Sequence, residues 1–458
     1  MLGLAFSPWR GASRRRWPKP GENTITAFSG GTLGPGLIAD FKRRRFALPK
    51  SMTAAQILAA TPAQIAAALK STAFADLFDF ARASAATYFD ASGTLVTADI
   101  NQPRFAADGL LLEGPATNFI RNSVLGGAVV GALGSGGQLA TNLSMSAAVG
   151  GDLVTSVAAI GVESGYAYID IRFVGQNTTP RYLNLESSTT IPAVAGDARL
   201  FSAMVRLVAG SLANTSDLQI VLSERNTSGT NATGSLATGV DIKPTITSGA
   251  RRSLSRTIAA ADAAYVLPYL RIPAATGPVD FTLRLALLQC EAGLEASSPI
   301  MTNGSAVTRA ADNAKLSAKA AAVLQRVSAG LLIQGSGTKG AYGRIIGGST
   351  GSTGQMISLS STENAVRIGR AAPTTIAAVT TPLPNFGLAA GWSDSGRAGS
   401  YQGSATVVAA SVLDVDLSNI YIGRDGSGNF APGYYRQFVA WPARPADAAL
   451  AGKAVAYV

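Results

Sequence analysis

Residues 166–174, YAYIDIRFV, show a period-two alternation of apolar and polar side chains that holds as far as Phe173. A period of two is the signature of a β-strand with two distinct faces. The same alternation recurs in RYLNLES (181–187), RLFSAMVRLVAG (199–210), SDLQIVLSE (216–224) and VDFTLRLALLQCEAG (279–293). Turn-rich spans such as NTSGTNATGS (226–235) separate them. Strands at this spacing predict an antiparallel sandwich of jelly-roll type over 122–300. A linker at 301–324 then leads to AGLLIQGSG, GRIIGG, QMISLSS and AVRIGR, which predict a second sandwich over 325–458.

Composition agrees with a β protein. The chain has 458 residues, of which 50 are Gly and only 14% are charged, against roughly 25% in ordinary globular domains. There is no His. That excludes Ser-His-Asp and Cys-His catalysis, His-ligated zinc and a His-based pH switch. Cys290 is the single cysteine, so no intrachain disulfide can form, and its apolar run predicts a buried side chain. The longest membrane-like stretch, VLGGAVVGALGSGG, is broken by Gly and falls short of about 18 apolar residues, so no membrane insertion is expected.

Residues 1–50 read as a basic extended arm. Ten Lys/Arg stand there against Glu22 and Asp40, a surplus of eight out of a net charge of +11. Arg14, Arg15 and Arg16 precede WPKPGENT instead of an apolar stretch, so no twin-arginine export signal is expected. Two clusters each end in an aromatic: Arg14–Arg16 with Trp17, and Lys42, Arg43, Arg44 and Arg45 with Phe46. They are expected to dock on an acidic protein surface, with phosphate binding as the alternative. Two short helices are expected over 51–80, the second begun by a Thr61–Gln64 capping box with Pro62 at its first position. Residues 81–121 read as a β-hairpin junction, with a turn at Ser92-Gly93 and a buried strand GLLLEG.

That junction carries a resemblance. Arg82, Ala83, Ser84, Tyr88, Asp90, Gly93, Pro103, Arg104, Phe105, Gly109, Leu110, Glu113, Thr117 and Asn118 resemble a segment of tailed-bacteriophage virion fibre and spike proteins. LLQCEAGLEASSPIMTNGSAVTRAAD is similar to the end of the jelly roll, of carbohydrate-binding-module type, that follows it in such proteins. The tail IYIGRDGSGNFAPGYYRQFVAWPARPADAAL resembles the end of a concanavalin- or laminin-G-like sandwich. The fold class expected is therefore mainly β: short N-terminal helices, then a jelly-roll and a concanavalin-like antiparallel sandwich. The resemblance implies a virion-surface protein, a homotrimer, that touches host glycans.

The candidate sites follow. Arg82 and Arg104 are expected to pair with Asp90 or Glu113 in a structural junction, with Asn118 as a backbone cap. The alternative makes Asp90 and Glu113 the acid and base of a polysaccharide depolymerase, but neighbouring arginines lower a carboxyl pKa, the wrong direction for an acid. Sugar stacking requires aromatics beside polar groups. Tyr166 and Tyr168 share a strand face, where core packing is the plainer reading and sugar stacking the alternative. Tyr182, Tyr265 and Tyr269 are further candidates. Trp392, Asp394, Arg397 and Tyr401 cluster in GWSDSGRAGSY, which reads equally as a recognition loop or as a turn with one anchoring Trp. GRDGSGNF offers Asp425 and Asn429 to Ca²⁺ but lacks EF-hand spacing, so it reads as a turn and no cofactor is expected. The expected function is non-catalytic adsorption to host glycans, with other virion proteins gripping the arm; a decoration or adaptor protein is the alternative.

Overall fold

The computed structural model describes residues 33–146, 153–235, 238–338, 343–349, 355–360, 365–369, 373–379, 383–413 and 416–454. It is mainly β, with antiparallel sheets and a few short helices. The chain divides into two compact units. The first comprises 1–81, 102–114 and 312–458, and the second 82–101 and 115–311, so the backbone passes between them four times.

The second unit packs two sheets. One runs Gly131–Ala132, Val154–Glu163, Tyr166–Gly175, Val279–Ala292, Ala198–Ser211, Arg251–Thr257. The other runs Ser144–Met145, Arg181–Asn184, Tyr265–Ile272, Gln219–Arg225, Thr238–Asp241. Alternation explains the layering. Ile169, Ile171 and Phe173 point inward with Leu283, Leu285, Ile220, Leu222 and Leu270 to form one core. Tyr168, Asp170 and Arg172, the intervening residues of the YAYIDIRFV strand, take the outer face.

In the first unit the larger sheet includes Leu69–Thr72, Arg45–Pro49, Leu37–Asp40, Gly433–Trp441, Ala329–Thr338, Leu383–Ser393 and Gly396–Tyr401. A smaller sheet faces it and includes Arg344–Gly347, Tyr421–Ile422, Asn313–Leu316 and Phe78–Ala81. This differs from the expected division. Residues 37–49 do not extend as an arm: they form a hairpin whose Leu37–Asp40 strand pairs with Gly433–Trp441. The expected linker at 301–324 holds the strands Val307–Arg309 and Asn313–Leu316 and the helix Ala318–Leu324. The helices Ala54–Ala59 and Pro62–Ala67 form where expected, each with a complete capping box. In the second box, Gln64 N donates to Thr61 Oγ1 at 3.3 Å and Thr61 N donates to Gln64 Oε1 at 2.8 Å.

Candidate functional site

The junction residues separate into two groups. Arg104, wholly buried in the first unit, donates to Glu113 Oε2 at 2.7 Å and to Asp312 Oδ2. Asp312 also accepts the Glu113 backbone N–H at 2.9 Å. Burial opposes the Arg104 charge, but Asp312 and Glu113 outweigh it and raise its pKa. The strand Gly109–Leu112 that leads to Glu113 needs glycine at its start: Gly109 has φ +124°, and a Cβ there would meet the Tyr435 carbonyl at 2.3 Å.

In the second unit Arg82 does not meet Asp90. Its guanidinium donates to the carbonyls of Ser84, Ala98 and Asp99 at 2.7–3.1 Å. Asp90 Oδ1 closes its own turn, accepting Ser92 Oγ, Ser92 N and Thr94 N at 2.6, 2.9 and 3.0 Å. Those bonds, the Ser92 hydroxyl first, hold its pKa below the usual carboxylate range. Asn118 is fully buried and satisfied: Nδ2 donates to Leu288 O and Ile300 O, and Oδ1 accepts from Ile120 N and Cys290 N. The carboxyl groups of Asp90 and Glu113 are thus both engaged, and they belong to different units.

The aromatic candidates divide as well. Tyr166 is 9% exposed and packs edge-on to Phe89 of the Ala86–Phe89/Leu95–Ala98 hairpin at 6.4 Å. Tyr168 carries the Arg284 guanidinium over its ring at 3.5 Å. Arg284 is itself held by Asp170 at 2.8 Å and Glu163 at 2.5 Å. Both rings are committed to packing, the plainer of the two readings of this strand face, and neither is an open stacking platform. Of the two readings of GWSDSGRAGSY, the structure has the turn with an anchoring Trp and not the recognition loop. That turn is the hairpin between Leu383–Ser393 and Gly396–Tyr401, with Trp392 3% and Arg397 1% exposed. Arg397 donates to Thr374 Oγ1 at 2.9 Å and Val412 O at 3.1 Å. Tyr401 is half-buried and its phenol pKa is pushed up by burial. Asp394 alone of the four is exposed, beside a cleft of about 190 Å³ that reaches Arg326, Val412 and Leu417.

The other three tyrosines meet on one surface. The register pairs Tyr182 with Arg271, Arg271 with Gln219, Tyr269 with Val221, Leu267 with Ser223 and Tyr265 with Arg225. Ile220, Leu222 and Leu270 point into the core, so these pairs occupy the outer face of the sheet. Val221, Leu267 and Tyr269 form its apolar floor, and Tyr182 stands edge-on to Tyr269 at 5.4 Å. Tyr182 and Tyr265 are half-buried, which leaves part of each ring within reach of a ligand. At one end Arg271 donates to both Asp217 oxygens at 3.1 and 3.2 Å, and Gln219 Nε2 donates to Asp217 at 2.8 Å. At the other end lies Arg225. Burial raises the Tyr269 pKa and lowers that of Arg225. Sequence reasoning missed Asp217, Gln219, Arg225 and Arg271. The signal was the parity of Asp217, Gln219 and Arg225 with Val221 in DLQIVLSER, and of Arg271 with Tyr269 in YVLPYLRI, legible only once the inner face was assigned.

Of the expected docking residues, Arg14, Arg15, Arg16 and Trp17 lie outside the described residues. Lys42, Arg43 and Arg44 sit exposed on the hairpin turn, and Arg45 begins the returning strand, also exposed. Phe46 is 7% exposed and packs near Phe41, Phe74 and Phe105, so it is a core residue and not a surface anchor. Asp425 is buried and turns back on its own loop, accepting Ser427 N at 2.9 Å, Asn429 N at 3.1 Å and Asn429 Nδ2 at 2.7 Å. Among the described residues no group of three His, Cys, Asp or Glu is placed to hold a metal, and no helix is long and apolar enough to cross a membrane.

Fold and surface together define an antiparallel β-sandwich protein with a tyrosine-lined sheet face. No protein-family model matches the chain, and neither does any curated protein. Among solved structures, a carbohydrate-binding module of the β-sandwich superfamily aligns over 48% of this chain and 77% of its own, at 12% identity and a TM-score of 0.25. A xylan-binding domain from Paenibacillus barcinonensis covers 40% and 94%, at 15% identity and 0.20. A Trypanosoma rangeli sialidase covers 64% and 61%, at 10% identity and 0.23. At such scores none of the three says what this chain binds.

Proposed function

We propose that the chain is a non-catalytic virion-surface protein of a tailed bacteriophage whose second unit binds host glycans. The observation that carries the glycan reading is the outer sheet face with Tyr182, Tyr265 and Tyr269 between the Arg271–Asp217–Gln219 group and Arg225. Phenol rings offer apolar faces to the C–H side of a sugar, and planar polar groups at the rim meet its hydroxyls. The virion setting rests on the sequence resemblance of residues 82–118. The non-catalytic reading is supported by Asp90, whose lowered pKa is wrong for a general acid, and by Glu113, held beside Arg104. Single sites of this kind bind weakly; several copies on one particle raise avidity by about 10²–10⁴.

The test uses the full chain, fluorescently labelled, on candidate host cells before and after periodate oxidation of their sugars. Binding that disappears on oxidation, and that Tyr182→Ala with Tyr265→Ala weakens by about tenfold or more, supports the reading. Binding that ignores oxidation and survives the double substitution overturns it, and leaves a decoration or adaptor role.

A further inference from the structure

The rim of the tyrosine face is unequal. Outer-face arginines of the second unit are generally matched by carboxylates: Arg271 by Asp217, Arg172 by Asp280, and Arg206 and Arg284 by Glu163. Arg225 is not. Its Nε is buried with no hydrogen-bond partner, and among the described residues no side chain pairs with its guanidinium. Yet it is half-buried, opposite Tyr265 in register, and within Coulombic reach of the Tyr269 phenol.

We infer that the ligand of this face is an acidic glycan, and that Arg225 receives its carboxylate between Tyr265 and Tyr269. The inference rests on the glycan reading of the face and sharpens it to a substrate class. A partly desolvated cation with no counter-charge is costly to keep in a fold, so the position gains by being completed from outside. A guanidinium presents a planar fork that matches a planar carboxylate, and one positive charge balances one negative charge. The neighbouring rings supply the stacking surface that a uronic or sialic acid also needs. The lowered Arg225 pKa has burial as its first cause, which agrees with a cation short of water and partners. A neutral sugar would leave that charge as the structure has it. The loop that follows is built stiffly: Asn226 Oδ1 accepts Ser228 N at 3.0 Å, Thr230 Oγ1 at 3.0 Å and Thr230 N at 3.2 Å, so the backbone beside Arg225 is held before any ligand arrives.

The experiment titrates the full chain with polygalacturonate, hyaluronan and polysialic acid, and with the carboxyl-reduced form of each. Wild type is compared with Arg225→Gln, Arg225→Lys and the Tyr182→Ala/Tyr265→Ala double variant, each checked by circular dichroism and thermal melting. The expected result is that at least one acidic polymer binds about tenfold or more tighter than its reduced form. Arg225→Gln should erase that difference, and Arg225→Lys should restore part of it. Binding that survives carboxyl reduction and Arg225→Gln but is lost in the tyrosine variant would overturn the inference and leave the glycan reading intact. No binding to any polymer, together with cell binding insensitive to periodate, would overturn both.

Discussion

Arg104 in the first unit and Arg225 in the second meet burial in opposite ways. Arg104 is sealed from water and held by Glu113 and Asp312, so its charge is raised in pKa and fixed in geometry. Arg225 is only half-buried, has no carboxylate beside it among the described residues, and has its pKa lowered. At Arg104 the fold supplies both counter-charges from its own chain, whereas the buried Arg82 is held by the carbonyls of Ser84, Ala98 and Asp99. At Arg225 the fold supplies none among the described residues, and the residue lies opposite Tyr265 on the face proposed to bind the ligand.

The comparison breaks most visibly at Arg104. Arg104→Ala strands two carboxylates in a buried site and should cost about 3–5 kcal/mol. Denaturant melts at pH 7 measure it. The loss should shrink as pH falls, because acid removes the negative charge that the substitution leaves without Arg104. A deficit that is small, or independent of pH, would mean that the triad is not what fixes the Gly109–Leu112 strand. Next in size is Asn118→Ala, which leaves two carbonyls and two N–H groups without their side-chain partner; a loss of about 2 kcal/mol is expected in the same melts.

Cys290 shows a third response to burial, which is to stay neutral. Desolvation pushes its thiol pKa up to about 12. A thiol reagent at pH 8 should leave the native chain unlabelled and label it fully in denaturant. Because the folded pKa is raised, the contribution to stability is complete below about pH 9, where the unfolded thiol is also protonated. It is then lost as pH rises toward about 12. Cys290→Ala should cost roughly 1 kcal/mol at pH 7, and rapid native labelling would show that the site opens locally.

Much of the second unit was legible in its alternation. YAYIDIRFV and its neighbours declared strands and an inner face, and Tyr182, Tyr265 and Tyr269 stood among the candidates. What could not be read is pairing across long sequence separation. Leu37–Asp40 lies beside Gly433–Trp441, and Arg104 meets Asp312 from 208 residues away. No local pattern encodes either, since each strand's periodicity says which face is apolar and nothing about its neighbour. GWSDSGRAGSY left loop and turn open because its Gly and Ser suit both; what decides is Gly396 at φ +138°, where a Cβ would meet Ala409 O of the neighbouring strand at 2.4 Å. The sites followed the same rule. The spacing of Tyr166 and Tyr168 puts them on one face, but whether that face is open to stacking depends on the hairpin carrying Phe89 and on Arg284.

The smallest expected effect on stability is the most telling. Arg225→Gln removes a charge that has no partner to lose, so the melting transition should move by less than about 0.5 kcal/mol, and upward if at all. Gln keeps the stem that packs beside the face and removes only the cation, so a change in packing is not confounded with a change in charge. A clear destabilisation would mean that Arg225 is engaged by a group of its own chain, and the contrast with Arg104 would collapse. Equal stability with weakened ligand binding would show instead that the fold keeps this arginine for something other than itself. The same substitution made at Arg104 supplies the scale: there the fold, not the ligand, should register the loss.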